Sequence, residues 1–149
     1  MKSSADRERD MERSREVEDA LARFYEVFGR ATAEDFDRVV AHQPEAMVIG
    51  SEPWLWLRDR ETWKRTFVSL GDVTLEPGGI RGFRHGPAGW LVDEPTFVAA
   101  DGRRLRLRLT GVALEEDDGW KLVQLHISVG VPDEVALVEA PGWEAAAPA

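Results

Sequence analysis

Arg103-Arg104-Leu105-Arg106-Leu107-Arg108-Leu109-Thr110-Gly111-Val112-Ala113-Leu114-Glu115, then Asp118-Gly119, then Trp120-Lys121-Leu122-Val123-Gln124-Leu125-His126-Ile127-Ser128-Val129 reads as strand, turn and strand. Both runs alternate with a period of two, the pattern of a β-strand with one face covered. An Asp-Gly pair between two such runs supplies the positive φ angles of a tight hairpin. Upstream, Asp101-Gly102 predicts a second hairpin that joins a strand over Gly89–Ala99 to the one beginning at Arg103. A further strand spans Val73–Arg84, where Gly78, Gly79 and Gly82 mark a bulge or break.

Before Gly71 the period is helical. From about Met11, Val17, Leu21, Phe24 and Phe28, joined by Ala20 and Val27, repeat at the three-and-four spacing of one buried face. Thr32 caps a second helix over Ala33–Ala41, with Phe36, Val39 and Val40 apolar and Glu34 and Asp35 in the first turn, where the helix dipole favours acids. Ala46–Ile49 is a short strand ended by Gly50-Ser51-Glu52-Pro53. After Trp54-Leu55-Trp56-Leu57, a third helix runs from about Arg60 to Leu70 with Trp63, Phe67 and Leu70 on one side. Helices first and consecutive hairpins afterwards exclude alternating β-α units. The fold class predicted is α+β: three N-terminal helices on a strongly curved, mixed or antiparallel sheet, with a pocket in the hollow between the layers.

Composition sets the limits. A chain of 149 residues holds one domain, and its 43% apolar content suffices for a core. Residues 1–12 are expected to form a charged tail, 13–134 the domain and 135–149 a second tail. No apolar run nears the roughly 20 residues of a membrane span, and the charged start Met1–Asp10 is not a secretory signal. There is no cysteine, hence no disulfide framework and no thiolate metal site. The location expected is the cytoplasm, with no membrane partner. Twenty-eight acids against 19 bases give a net charge of −9, which repels a phosphate backbone and argues against nucleic acid. His42, His85 and His126 lack ligand spacing, so no metal is expected. Gly78-Gly79-Ile80-Arg81-Gly82 opens no helix and is no dinucleotide loop, and no Gly-x-Ser-x-Gly elbow occurs. No cofactor is expected.

The order of elements resembles the nuclear-transport-factor-2-like superfamily. Asp118-Gly119-Trp120 through His126-Ile127-Ser128 and on to Pro132 resembles the closing strand of its SnoaL-like branch, led by tryptophan and ending in histidine-x-serine. Ile49-Gly50 with Trp54 and Trp56, Trp90 with Asp93, and Arg108-Leu109-Thr110 agree with that branch, so the resemblance covers roughly Glu16 to Glu134. It implies a small, partly apolar ligand, and either proton-transfer chemistry (isomerisation, cyclisation or dehydration) or a non-catalytic binding or association module. Ketosteroid isomerisation needs a carboxylate base, a tyrosine and a protonated aspartic acid. The tyrosine position falls on Phe24, Tyr25 points about 100° away around the helix, and the acid position falls near Gly111, so that activity is disfavoured.

The candidates follow. Glu52, at a strand end beside two tryptophans, is a candidate catalytic base or simply a solvated loop carboxylate. Asp93 is a second catalytic candidate, or the partner of a neighbouring arginine. Phe24, Trp54, Trp56 and Arg108 are the candidate ligand-binding residues, with aromatic walls for a planar or apolar molecule and a guanidinium for an acidic group. Trp63 reads as core. Alternation on the last strand puts Val123, Leu125, Ile127 and Val129 inward and Trp120, Leu122, Gln124, His126 and Ser128 on a mixed outer face, so His126 reads as structural. Such a face suits a homodimer. By the same alternation Arg104, Arg106 and Arg108 lie outside if Leu105, Leu107 and Leu109 lie inside. Gly111 is where a bulge would exchange the sides.

Overall fold

The computed structural model describes residues 3 and 10–139. Three helices come early, each opened by a side chain that accepts from the first turn. Ser14 accepts from the Val17 amide at 3.3 Å and starts α1, Arg15–Val27. Thr32 and Asp35 form a reciprocal capping box at α2, Ala33–Val39. Asp59 accepts from the Thr62 amide at 2.8 Å at the start of α3, Arg60–Val68. The first helix begins about four residues later than its periodicity suggests, because Glu12–Arg13 instead form β1, paired antiparallel with Arg84 and Phe83.

The remaining strands are β2 (Met47–Ile49), β3 (Trp56–Leu57), β4 (Thr74–Glu76), β5 (Arg81–His85), β6 (Ala88–Asp93), β7 (Thr96–Val98), β8 (Arg104–Arg106), β9 (Arg108–Glu116) and β10 (Gly119–Ser128), followed by helix α4 (Asp133–Glu139). Residues 1–2, 4–9 and 140–149 of the expected tails lie outside the described residues. The larger sheet has the order β1-β5-β6-β9-β10-β2-β3, and β4-β7-β8 form a smaller one. The sheet is mixed, since β2 runs parallel to β10 while the other pairs are antiparallel.

Three of the four long strands read from the sequence, all but the last, are two strands each here. The breaks fall between Glu76 and Arg81, between Asp93 and Thr96, and at Leu107. They lie side by side, with the Leu107 amide donating to the Pro95 carbonyl at 2.8 Å, and they mark the corner where the sheet turns. Leu107 and Leu109 are buried as expected, whereas Leu105 on β8 is exposed.

The last strand departs from simple alternation. Its register against β9 shifts between Leu122 and Gln124, so Val123 is the extra residue of a bulge. Trp120 and Leu122 therefore point into the core with Leu125, not outward with Gln124 and His126. Gly111, the position suspected of a bulge, pairs regularly with Leu91 and Leu125 on either side. Beyond the bulge the outer face follows its register. Val92, Thr110, His126, Ile49 and Trp56 form one row across the strands, and Trp90, Val112, Gln124 and Met47 the next.

Between helices and sheet the space is filled by rings. Phe24 stacks on Phe67 at 4.9 Å between centroids, and Phe36 meets Trp63 edge-on at 5.7 Å. All four are at most 3% exposed. Outside this core, Asp37 ties α2 to α3 through Arg60 and Lys64, each at 3.0 Å. Burial raises the Asp37 pKa, but the hydrogen bonds from Lys64 and Arg60 outweigh it and hold the carboxyl below its usual range. Glu116 is likewise raised by burial and lowered further by His42 and Lys121.

Truncating Trp63 to alanine is expected to cost about 3–5 kcal/mol in urea unfolding, the range for emptying a packed aromatic site. A carboxylate whose folded pKa is depressed stabilises above its unfolded value and loses that contribution as pH falls through the folded one. Unfolding free energy is therefore expected to decline between about pH 5 and pH 3. Asp37→Asn should flatten part of that decline.

Candidate functional site

Asp93 ends β6 two residues before Pro95 and points inward at the sheet corner, 6% exposed. Four donors converge on its carboxylate. The Tyr25 hydroxyl donates to Oδ2 at 2.9 Å, the Gly79 amide to Oδ1 at 2.7 Å, the Glu94 amide to Oδ1 at 2.8 Å, and the Gly78 amide to Oδ1 at 3.1 Å. The loop must come this close, and only glycine permits it: a Cβ on Gly78 would stand 2.1 Å from the Glu94 carbonyl oxygen. Burial, and then the charge and hydrogen bond of Asp93, push the Tyr25 phenol far above its usual pKa, so it keeps its proton. Chemically this couple is a latch between helix α1 and the corner.

Two cavities flank it. One of about 440 Å³ lies between α1 and β4, with Tyr25, Phe28, Val73, Leu75 and Pro77 in its walls and Glu26, Arg30 and Asp72 among its lining residues. The other, about 340 Å³, adjoins Gly78, Gly79, Asp93 and Arg106. A larger cleft of about 710 Å³ lies between α1, α2 and the β9–β10 turn, lined mainly by acids with Arg23, Arg38 and Lys121.

The sequence candidates spread over both sides of the sheet. Phe24 lies in the ring cluster and Asp93 at the inner corner. Glu52 is exposed in the loop after β2, where its carbonyl accepts from the Leu55 amide at 3.0 Å. β9 and β10 separate that edge of the sheet from Asp93, so the two carboxylates do not share a site. Trp54 is 78% exposed in the same loop, and Trp56 on β3 carries the Arg58 guanidinium 4.3 Å above its ring. Arg108 opens β9 on the exposed face, opposite Ser128. Its neighbours Arg103, Arg104 and Arg106 pair with Asp101, Glu76 and Glu94, while Arg108 has no carboxylate partner among the described residues.

Tyr25 and the Gly78-Gly79 amides were not among the candidates, yet they complete the corner. The signal was present. Tyr25 follows Leu21 by four residues and so borders the buried stripe of α1, and the paired glycines sit where a strand had to break.

Removal of the tyrosine hydroxyl takes away one of four donors, and Tyr25→Phe is expected to cost about 1–2 kcal/mol in urea unfolding. Asp93→Asn replaces an acceptor oxygen with a donor that faces other donors, and should cost about twice that. Equal effects from the two would show that the glycine amides do not depend on the carboxylate.

Comparison with known proteins places the chain. A family model described as a SnoaL-like domain matches residues 17–132. No curated protein matches significantly. Among solved structures, a nuclear-transport-factor-2-like superfamily protein of Salmonella enterica is 18% identical with a TM-score of 0.67, covering 86% of this chain and 95% of its own. A candidate dehydratase of the same superfamily from Streptomyces avermitilis is 19% identical, with a TM-score of 0.66 over 78% of this chain and 95% of its own. The CaMKII hub of S. rosetta is 17% identical, with a TM-score of 0.60 over 75% and 92%. At these identities the structures share the fold.

Proposed function

The chain belongs to the SnoaL-like domain family, and on that footing we propose that it is a cofactor-free domain that binds a small, partly apolar molecule and works as a homodimer in the cytoplasm. The observation that carries the ligand reading is the cavity of about 440 Å³ between α1 and β4, whose walls are mostly apolar and whose lining also includes the charged groups of Glu26, Arg30 and Asp72. Binding rather than catalysis is favoured because Asp93 has its oxygens engaged by four donors and the Tyr25 phenol holds its proton. The dimer reading draws on the outer sheet face. Trp90 and Val112 are 38% and 36% exposed there, and Trp56 at its edge is 46% exposed. The fold is also shared with a hub domain. Trp54, Trp56 and Arg108 then serve association, while Phe24 serves the core. No helix of the described residues is long and apolar enough to cross a membrane.

A second reading, proton transfer by Glu52, is supported by the candidate dehydratase of the same fold and by the exposed carboxylate, which has no side-chain partner among the described residues.

Small polyketide and terpenoid acids screened against the full chain should include one that raises the melting temperature by about 5 °C at saturating concentration. Ala22→Phe, which fills the cavity wall, should abolish that shift while leaving the circular dichroism unchanged. A shift that survives Ala22→Phe would move the ligand elsewhere. Turnover of the ligand that is lost in Glu52→Gln would favour the enzyme.

A further inference from the structure

The middle of the outer face carries no acid. Across six paired strands from β5 to β3, the row of Arg81, Val92, Thr110, His126, Ile49 and Trp56 contains no aspartate or glutamate. Nor does the adjacent row from Phe83 through Trp90 and Val112 to Met47. On a chain of net charge −9 this is a local inversion of sign. Glu94 and Glu116 at its margins are already paired, with Arg106 and Lys121, and the charged groups of the face left without an opposite partner are cations. Arg108 on β9 lies diagonally beside His126, Arg81 lies on β5, and Arg58 lies just past β3, none with a carboxylate partner among the described residues.

His126 stands near the middle of this surface, exposed, with Thr110 on one side and Ile49 on the other. The occupant of the face is a second copy of the chain. The centre of the face is apolar and uncharged while the ring is neutral. The arginines at its edge need carboxylates that the face lacks and that a second copy, with 28 acids, carries at its margins; Glu52 in the loop beside Trp54 is one. In a two-fold arrangement the same patch meets itself, so whatever charge one His126 bears its counterpart bears too.

We propose that His126 is a proton switch for self-association: copies pair through the outer sheet face while the imidazole is neutral and part when it is protonated. This rests on the dimer reading above. Protonation would place two imidazolium ions at the centre of a surface being removed from water, in a row that holds no carboxylate to balance them. Imidazole is the side chain that changes charge between pH 8 and 5. The proton binds the separated copies more readily than the pair, so the dissociation constant rises as pH falls. The bulk charge works in the opposite direction. Acidification brings a chain of pI 4.9 closer to neutrality and by itself favours association.

Sedimentation of the full chain at constant ionic strength, at about pH 8 and about pH 5.5, tests the switch. The dissociation constant is expected to rise at least about tenfold on acidification. His126→Gln should remove that rise, and His126→Lys should weaken the pair at both pH values, with tryptophan circular dichroism verifying the fold of each. A dimer of equal strength at both pH values overturns the switch and leaves the dimer standing. A monomer at both removes the dimer reading and the switch with it. A rise that persists in His126→Gln overturns the assignment to this residue.

Discussion

Everything at the bend of the sheet depends on one buried carboxylate. Asp93 accepts from Tyr25 on helix α1, from the Gly78 and Gly79 amides between β4 and β5, and from the Glu94 amide between β6 and β7. Where a strand breaks, its amides lose their ladder partners, and buried amides without acceptors are expensive. Asp93 supplies the missing acceptors at two neighbouring breaks and fastens both to the first helix. The third break is served by the Pro95 carbonyl, which takes the Leu107 amide. A charged group thus stands where an apolar one could not do the work, because only a carboxylate offers enough lone pairs to four donors in so small a space.

The same corner explains how a short chain encloses its core. Three strands that change direction together turn an open sheet into a wall on two sides of α1, and Phe24, Phe36, Trp63 and Phe67 fill the remaining volume. The helices are anchored at their entries by Ser14, Thr32 and Asp59, so their apolar stripes meet the sheet at a set rotation. The cavities that remain lie toward the margins of this packing, between α1 and β4 and at the corner itself.

Much of this was legible in the sequence because it is local. The Asp101-Gly102 and Asp118-Gly119 hairpins, the Thr32 cap and the helical spacing of Val17, Leu21 and Phe24 each specify their structure within a few residues. What was not legible depends on neighbours. The bulge at Val123 has no local signature, and by shifting register by one position it carried Trp120 and Leu122 to the opposite side from the one alternation gives. The strand breaks left traces in Pro77, Gly78, Gly79 and Pro95, but only the alignment of all three across the sheet reveals a corner. For the site, Asp93 was recognised as a polar group of interest, while its partner Tyr25 was set aside on a rotation of about 100° that the width of the buried stripe absorbs.

The parallel pairing of β2 with β10 carries a consequence for the order of events in biosynthesis. Residues 47–49 find their neighbours at 124–126, almost eighty positions later, and β3 is attached to the sheet only through β2. A nascent chain can close its hairpins as they emerge, but the β2–β3 ribbon has no seat until the final strand has left the ribosome. Until then the apolar side of that ribbon, and the part of the helical layer it covers, stay open to water and to chaperones. Completion of this domain is a single late event, set by the position of its last strand in the message.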